Sequence, residues 1–212
     1  MLFDLQGLDV LIDAARLLRH DPRVVVVICG NGELRAALEK AASGLGNIHF
    51  MDLQPAAKLN ALLKMADIHL LPQLKGAADL VMPSKLTGML ASGRPVIAAA
   101  IPGTEIASIV VGCGIVTEPE VADGFAHAIA TLVADPQRRQ RLGAAGRAYA
   151  ERMLNSEQIF NRLDERLHAL SQSPYMARPQ VRAGAASPSG EFVEVIENGA
   201  ALASLAGSEP AR

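Results

Sequence analysis

Pro83-Ser84-Lys85 is the stretch of this chain best suited to hold an anion. Proline followed by serine marks a helix entrance, with Ser84 expected as the N-cap. A helix entrance presents unpaired N–H groups and the positive end of the helix dipole, which suits phosphate. Ser84 adds a hydroxyl and Lys85 a mobile cation, so the stretch reads as a diphosphate cradle; an ordinary capped helix with a solvated lysine is the alternative. The helix that follows places Leu86, Met89 and Leu90 on one face and the small residues Ser84, Thr87, Gly88 and Ala91 on the other. A small face implies close approach by another helix or by a ligand. Gly88 sharpens the point, because glycine inside a helix costs about 1 kcal/mol relative to alanine.

Gly30-Asn31-Gly32 follows an apolar run and opens toward a helix, but a dinucleotide-binding loop would need a third glycine where Arg35 stands. Glu33 would repel a phosphate at that helix start. Asp52 follows the next strand, where such a fold carries its ribose-binding acid. The better reading is a tight turn that lets a ligand or loop sit close. Lys75, Gly76 and Asp79 lie on a loop before the Ser84 helix and are either ligand contacts or solvated. The histidines show no metal spacing, and His69 reads as a satisfied core or strand-end residue. No Asp-x-Asp, GxSxG, P-loop or Cys–His pattern occurs. Arg138, Arg139, Arg141 and Arg147 read as a solvated helix face, with an acidic lipid surface as the other reading.

These stretches are positioned by strands alternating with helices. Val24–Cys29, Asn47–Met51, Ile68–Leu71, Val96–Ala100 and Ile115–Thr117 are apolar runs of strand length. Helices are expected over Leu8–Leu18, Glu33–Ala42, Pro55–Ala66, Glu105–Val111, Glu120–Ala134, Gln137–Leu154 and Ser156–Leu170, besides the Ser84 helix, which Gly93 ends. The alternation specifies an α/β fold: a parallel sheet with helices on both faces, whose ligands bind at the carboxyl ends of the strands. From Ser171 the chain turns rich in Ala, Ser, Gly and Pro, so residues 1–170 form the expected domain and 171–212 a mostly disordered tail. Within that tail Glu191–Ile196 could add an edge strand.

Half of the 212 residues are hydrophobic (50%), enough for a sizeable core. A net charge of −2 and an aromatic content of 3% argue against nucleic acid as a partner. Cys29 and Cys113 read as core residues rather than a disulfide, which fits a cytoplasmic setting. No apolar run approaches the ~18 residues of a membrane helix.

The block from Leu80 to Ala100, with ADIHLLP before it and Gly103-Thr104-Glu105 after it, resembles retaining glycosyltransferases of the GT-B type, family 4, the colanic-acid and O-antigen transferases among them. The similarity runs from about Gln6 to about Leu170. It implies a Rossmann-like domain, the C-terminal half of a GT-B fold, and a UDP- or GDP-sugar donor with no metal. It also implies a lipid-linked saccharide acceptor at the inner face of the cell membrane. Carried over by position, Ser84, Lys85 and the amides after them would hold the diphosphate. Gly30, Asn31, Gly32 and His49–Met51 would border the base, and Thr87 and Gly88 would lie near the ribose. Relatives often carry paired glutamates where this chain has Leu80 and Gly88.

No catalytic residue is assigned, because a GT-B enzyme reacts in a cleft between two domains and the acceptor domain would precede Gln6. The first strand of the donor domain would precede it too. The expectation is therefore a truncated donor-binding half. The other readings are one subunit of a two-chain transferase and a non-catalytic interaction module. Met1–Leu5 would either supply a substitute strand or leave a gap beside Val24–Cys29, making the isolated chain poorly stable.

Overall fold

The computed structural model describes residues 7–77 and 83–172. The chain divides into two compact units, Met1–Ile159 and Phe160–Arg212. Every element below belongs to the first unit except the last helix, which continues into the second from Phe160. In chain order these are α1 (Asp9–Leu17), β1 (Val26–Cys29), α2 (Arg35–Ala41), β2 (Ile48–Met51), α3 (Leu59–Met65), β3 (His69–Leu71) and α4 (Ser84–Ala91). They continue as β4 (Val96–Ala99), α5 (Glu105–Val110), β5 (Gly114–Thr117), α6 (Ala122–Ala134) and α7 (Pro136–Met153), with α8 (Ser156–Ser171) last.

All strand pairs are parallel, as the β-branched runs separated by helices require. The strands form two sheets, β1-β2 and β3-β4-β5. Val26 pairs with Ile48 in the first; in the second His69 pairs with Val96, and Val96 with Gly114. Among the described residues β1 has no strand on its second edge, and neither has β3. The interruption falls beside Val24–Cys29; the choice between a substitute strand from Met1–Leu5 and a gap lies outside the described residues, as does the expected strand at Glu191–Ile196.

β4 is the buried axis, with all of Val96–Ala99 enclosed. Its alternate side chains enter two cores. Ile97 and Ala99 join α1, α6, β1 and β2, with Phe125, Ile12 and Leu132 at the centre. Val96 and Ala98 join α4, α5 and α7, with Leu86, Leu90 and Val110. Helix α7 reaches this second core through glycines. A Cβ on Gly143 would stand 2.1 Å from the Gly93 carbonyl oxygen, and one on Gly146 would press Leu90 and Cys113.

Local chemistry sets several boundaries differently from the sequence reading. Pro83, not Ser84, is the N-cap of α4; its extended backbone makes the entrance, and no side chain caps it. Ser84 is thus the first helical residue. α2 begins at Arg35 rather than Glu33, after an uncapped turn through Leu34. The Pro55–Ala66 helix opens as a 3-10 turn, Ala56–Lys58, before α3. α6 starts at Ala122 because Glu120 adopts a positive φ of 63°. α7 starts at Pro136, with the Asp135 carboxylate accepting from the Arg138 N–H at 2.8 Å. Thr104 caps α5 in the same way, accepting from the Ala107 N–H.

The arginines of α7 are also not simply a solvated face. Arg139 donates to the Leu132 and Val133 carbonyls, satisfying the last turn of α6. Arg147 pairs with Glu151 at 2.8 Å and donates to the Ala91 carbonyl at the end of α4.

Candidate functional site at the carboxyl edge

Parallel strands gather their carboxyl ends on one edge, and the candidate residues follow those ends. Cys29 ends β1 and leads into Gly30–Gly32; Leu71 ends β3 and leads through Lys75 to α4. The sequence therefore sends Gly30, Asn31, Gly32, Lys75 and the start of α4 to the same edge of their sheets.

At α4 the residues part into two roles. Ser84, Lys85 and Thr87 are exposed, whereas Leu86 is 2% exposed and packs in the second core. The Leu86 amide donates to the Pro83 carbonyl at 2.9 Å, so Leu86 seats the helix and offers a ligand neither its side chain nor its N–H. That corrects its place among the donor-contacting residues. The small face also divides. Gly88 is approached by Leu63 of α3, 3.2 Å from where a Cβ would sit, so a neighbouring helix takes up the room there. Ser84, Thr87 and Ala91 stay open to solvent. Partial desolvation lowers the Lys85 pKa although the residue as a whole is exposed, which makes a neighbouring anion favourable. Leu80 and Asp79 lie outside the described residues.

At the ends of β1 and β2 the organising residue is Arg35, whose chemistry the sequence reading missed. Its guanidinium donates to the carbonyls of Gly30 (2.8 Å) and Met51 (2.9 Å), pairs with Glu39, and lies 5.2 Å from the centre of the Phe50 ring. A buried Gly30 with φ of 141° lets the chain turn beneath it. The third glycine of a dinucleotide loop is thus replaced by a side chain that ties two strand ends together. Asn31 is exposed and accepts from the Leu53 N–H at 3.3 Å. The only sequence signal was that a long cation stood where a glycine would be needed. Lys75 is exposed in a 3-10 turn, and its ammonium stands 3.5 Å from the Glu118 carboxylate after β5.

His69 belongs to the opposite edge. It is buried, and its Nε2 lies 2.9 Å from Ser92 Oγ. Ser92 gives its own proton to the Met89 carbonyl, which assigns the imidazole as the Nε2–H tautomer donating to Ser92. Burial, with a smaller contribution from Arg94, lowers its pKa to about 4. This is the satisfied core histidine expected from the strand ADIHLLP. Cys113 is likewise buried, and its thiol is pushed up to about 11.

The model of the glycosyl transferases group 1 family matches residues 2–149. The chain belongs to this family. Its group 1 relatives include a protein named as a colanic acid biosynthesis glycosyl transferase, WcaI of Escherichia coli K12, 38% identical over 73% of this chain and 38% of that protein. A GDP-mannose-dependent alpha-(1-6)-phosphatidylinositol monomannoside mannosyltransferase of Mycolicibacterium smegmatis is 32% identical over 68% of this chain and 40% of its own length. The chain thus spans about two fifths of the curated relatives it matches. Among solved structures, Anabaena HepE in complex with UDP and glucose superposes with a TM-score of 0.67 at 20% identity, covering 79% of this chain and 46% of that one. WaaG, a glycosyltransferase involved in lipopolysaccharide biosynthesis, superposes with a TM-score of 0.55 at 23% identity over 71% and 40%. The group 1 chain therefore has a partial Rossmann-like fold of the GT-B glycosyltransferases. Among its described residues no helix is long and apolar enough to cross a membrane.

Proposed function

We propose that the entrance of α4 holds the diphosphate of a nucleotide-sugar donor, a UDP- or GDP-sugar, and that the chain supplies the donor-binding part of a retaining hexosyltransferase. The observation that carries this reading is the start of α4, where Ser84 and Lys85 are exposed and no side chain caps the helix. In sugar transfer the bond between the anomeric carbon and the diphosphate oxygen breaks, and negative charge grows on the departing phosphate. Helix N–H groups, the Ser84 hydroxyl and the Lys85 ammonium stabilise that charge more as it develops than before, which is what accelerates a reaction. Thr87, three residues on, presents its hydroxyl one turn away toward the ribose. The Gly30–Gly32 turn, held by Arg35, borders the base, and Lys75 stands at the rim.

The acceptor in this reading is a lipid-linked saccharide in the synthesis of an extracellular polysaccharide or O-antigen, met at the cytoplasmic face of the membrane. It would be bound by polypeptide beyond the matched region. The names of the WcaI and mannosyltransferase relatives support this chemistry.

Titration of the purified chain with UDP-glucose and GDP-mannose, followed by calorimetry or amide shifts, tests the donor site. Saturable millimolar binding is expected, shifting amides of Ser84–Thr87. Lys85→Ala should weaken it about tenfold, the worth of one charge-assisted hydrogen bond. Binding should also weaken on the alkaline side at a lower pH than for an ordinary lysine, because the Lys85 pKa is lowered. No binding of either nucleotide at millimolar concentration defeats the reading.

A further inference from the structure

Arg35 and Asp52 meet at the carboxyl ends of β1 and β2. Arg35 opens α2, and Asp52 follows the last residue of β2. We propose that these two side chains read the edge of the donor's base and select one that presents a carbonyl oxygen beside a ring N–H, as uracil and guanine do. The inference rests on the donor reading above and narrows it.

The guanidinium is held in place on several sides. Its Nη1 gives both hydrogens to the carbonyls of Gly30 and Met51, at 2.8 and 2.9 Å, and its Nε pairs with Glu39. The Phe50 ring packs against it, 5.2 Å from the guanidinium carbon to the ring centre. An arginine carries five N–H groups in a fixed plane. Three are engaged, and the two on Nη2 have no acceptor among the described residues. The side chain keeps 20% of its surface exposed. A donor already fixed in this way loses little freedom when it meets a further acceptor.

Asp52 supplies the acceptor beside it. Its carboxylate stands 3.9 Å from Nη1, is 83% exposed and makes no hydrogen bond among the described residues. Its backbone is tied down. The Asp52 carbonyl accepts from the Cys29 thiol at 3.2 Å and from the Gln54 side chain at 2.9 Å. The next amide, that of Leu53, donates to Asn31 in the turn after β1.

Charge decides which part of a nucleotide suits this end. One guanidinium faces two carboxylates, Glu39 and Asp52, and Glu33 is exposed in the turn into α2. The excess is negative, so a phosphate is repelled and a neutral ring is tolerated. The start of α4, with Ser84 and Lys85, has the opposite preference. At the Arg35 end a base carbonyl accepts from Nη2, and the adjoining ring N–H donates to Asp52. Uracil and guanine present that order. Cytosine and adenine present an amino group beside a bare ring nitrogen, which is the reverse. The reverse order sets donor against donor and acceptor against acceptor, leaving polar groups unpaired.

Equilibrium binding of UDP, GDP, CDP and ADP to the purified full chain tests this, with inorganic pyrophosphate as the probe of the α4 end. UDP and GDP should bind at least about tenfold tighter than CDP and ADP, the worth of one charge-assisted hydrogen bond. Arg35→Gln and Asp52→Ala should each shrink that preference to about twofold by removing one half of the reading pair. Pyrophosphate should bind both variants as it binds the parent. The side-chain N–H signals of Arg35 should shift with UDP and stay in place with pyrophosphate. Equal affinity of the parent for all four nucleotides, or tighter binding of CDP or ADP, overturns the proposal and leaves the donor reading standing. An Asp52→Ala chain that keeps the full preference does the same. Asp52 is exposed, so this variant decides the matter even should Arg35→Gln fail to fold. Binding of neither pyrophosphate nor any nucleotide at millimolar concentration ends the donor reading, and this proposal with it.

Discussion

β1 and β4 read alike in the sequence, as Val24–Cys29 and Val96–Ala100, yet the fold treats them oppositely. β4 has a parallel neighbour on each edge and helices on each face, and all its side chains are buried. β1 has one strand neighbour among the described residues and one covered face, with alternate valines in contact with solvent. An apolar run therefore specifies that a strand forms, while its neighbours decide whether both faces are used. The β4 side is also tightly fitted. Helix α7 approaches the turn after α4 with no room for a methyl group at Gly143. The β1 side has spare valine surface.

The contrast can be broken most severely at Gly143. Gly143→Ala would force a carbon to within 2.1 Å of a backbone oxygen, so α7 must move away from the turn at Gly93. A loss on the order of 3 kcal/mol or more is expected in urea unfolding. A change under about 0.5 kcal/mol, the range of ordinary surface substitutions, would mean that α7 does not pack as described.

Truncation at matched positions of the two strands comes next. Ile97→Ala on β4 should cost about 2–5 kcal/mol, as for other buried isoleucines, and Val27→Ala on β1 under about 0.5 kcal/mol. Equal losses would show that β1 is covered on both faces in solution.

The buried imidazole behind β3 makes the β4 side sensitive to acid. His69 binds a proton at about pH 6.5 when unfolded and at about 4 when folded, so the unfolded chain holds more protons between those values. Stability should be fully present above pH 6.5 and fall as pH drops toward 4, by up to about 3 kcal/mol. Urea melts across this window check the sign. His69→Gln should flatten the dependence, and an unchanged slope would remove His69 as its source.

The smallest effects separate a structural cap from an open helix entrance. Thr104→Ala removes the oxygen that accepts from Ala107 and should cost about 1 kcal/mol. Ser84→Ala removes no cap and should leave stability within about 0.5 kcal/mol while weakening donor binding. A Ser84→Ala loss as large as that of Thr104→Ala would restore Ser84 as a cap.

Helix α4, which carries most of the candidate site, was legible because its signals are local. Pro83 cannot continue a helix backward, Gly93 and Pro95 end it, and Leu86 and Leu90 recur at helical spacing, so α4 and its direction follow from a short stretch. The role of Arg35 was not legible because it depends on carbonyls five and sixteen residues away. Gly88 offered room for a ligand or a helix, and only the approach of Leu63 distinguished them. The helical spacing of Leu86 with Met89 and Leu90 already set it on the apolar face, which the structure buries.

The sequence by itself determined the alternation of strands and helices, their parallel pairing, the edge at which the strands' carboxyl ends lie and the entrance of α4. These depend on periodicity and on residues that start or stop a helix, which act over a few neighbours. The tertiary structure decided that β4 is enclosed and β1 half open, that Gly143 and Gly146 are contact points, and that Arg35 joins two strands. Those outcomes depend on which distant surfaces meet, and a hydrophobic run is equally stable against any of them until packing selects one.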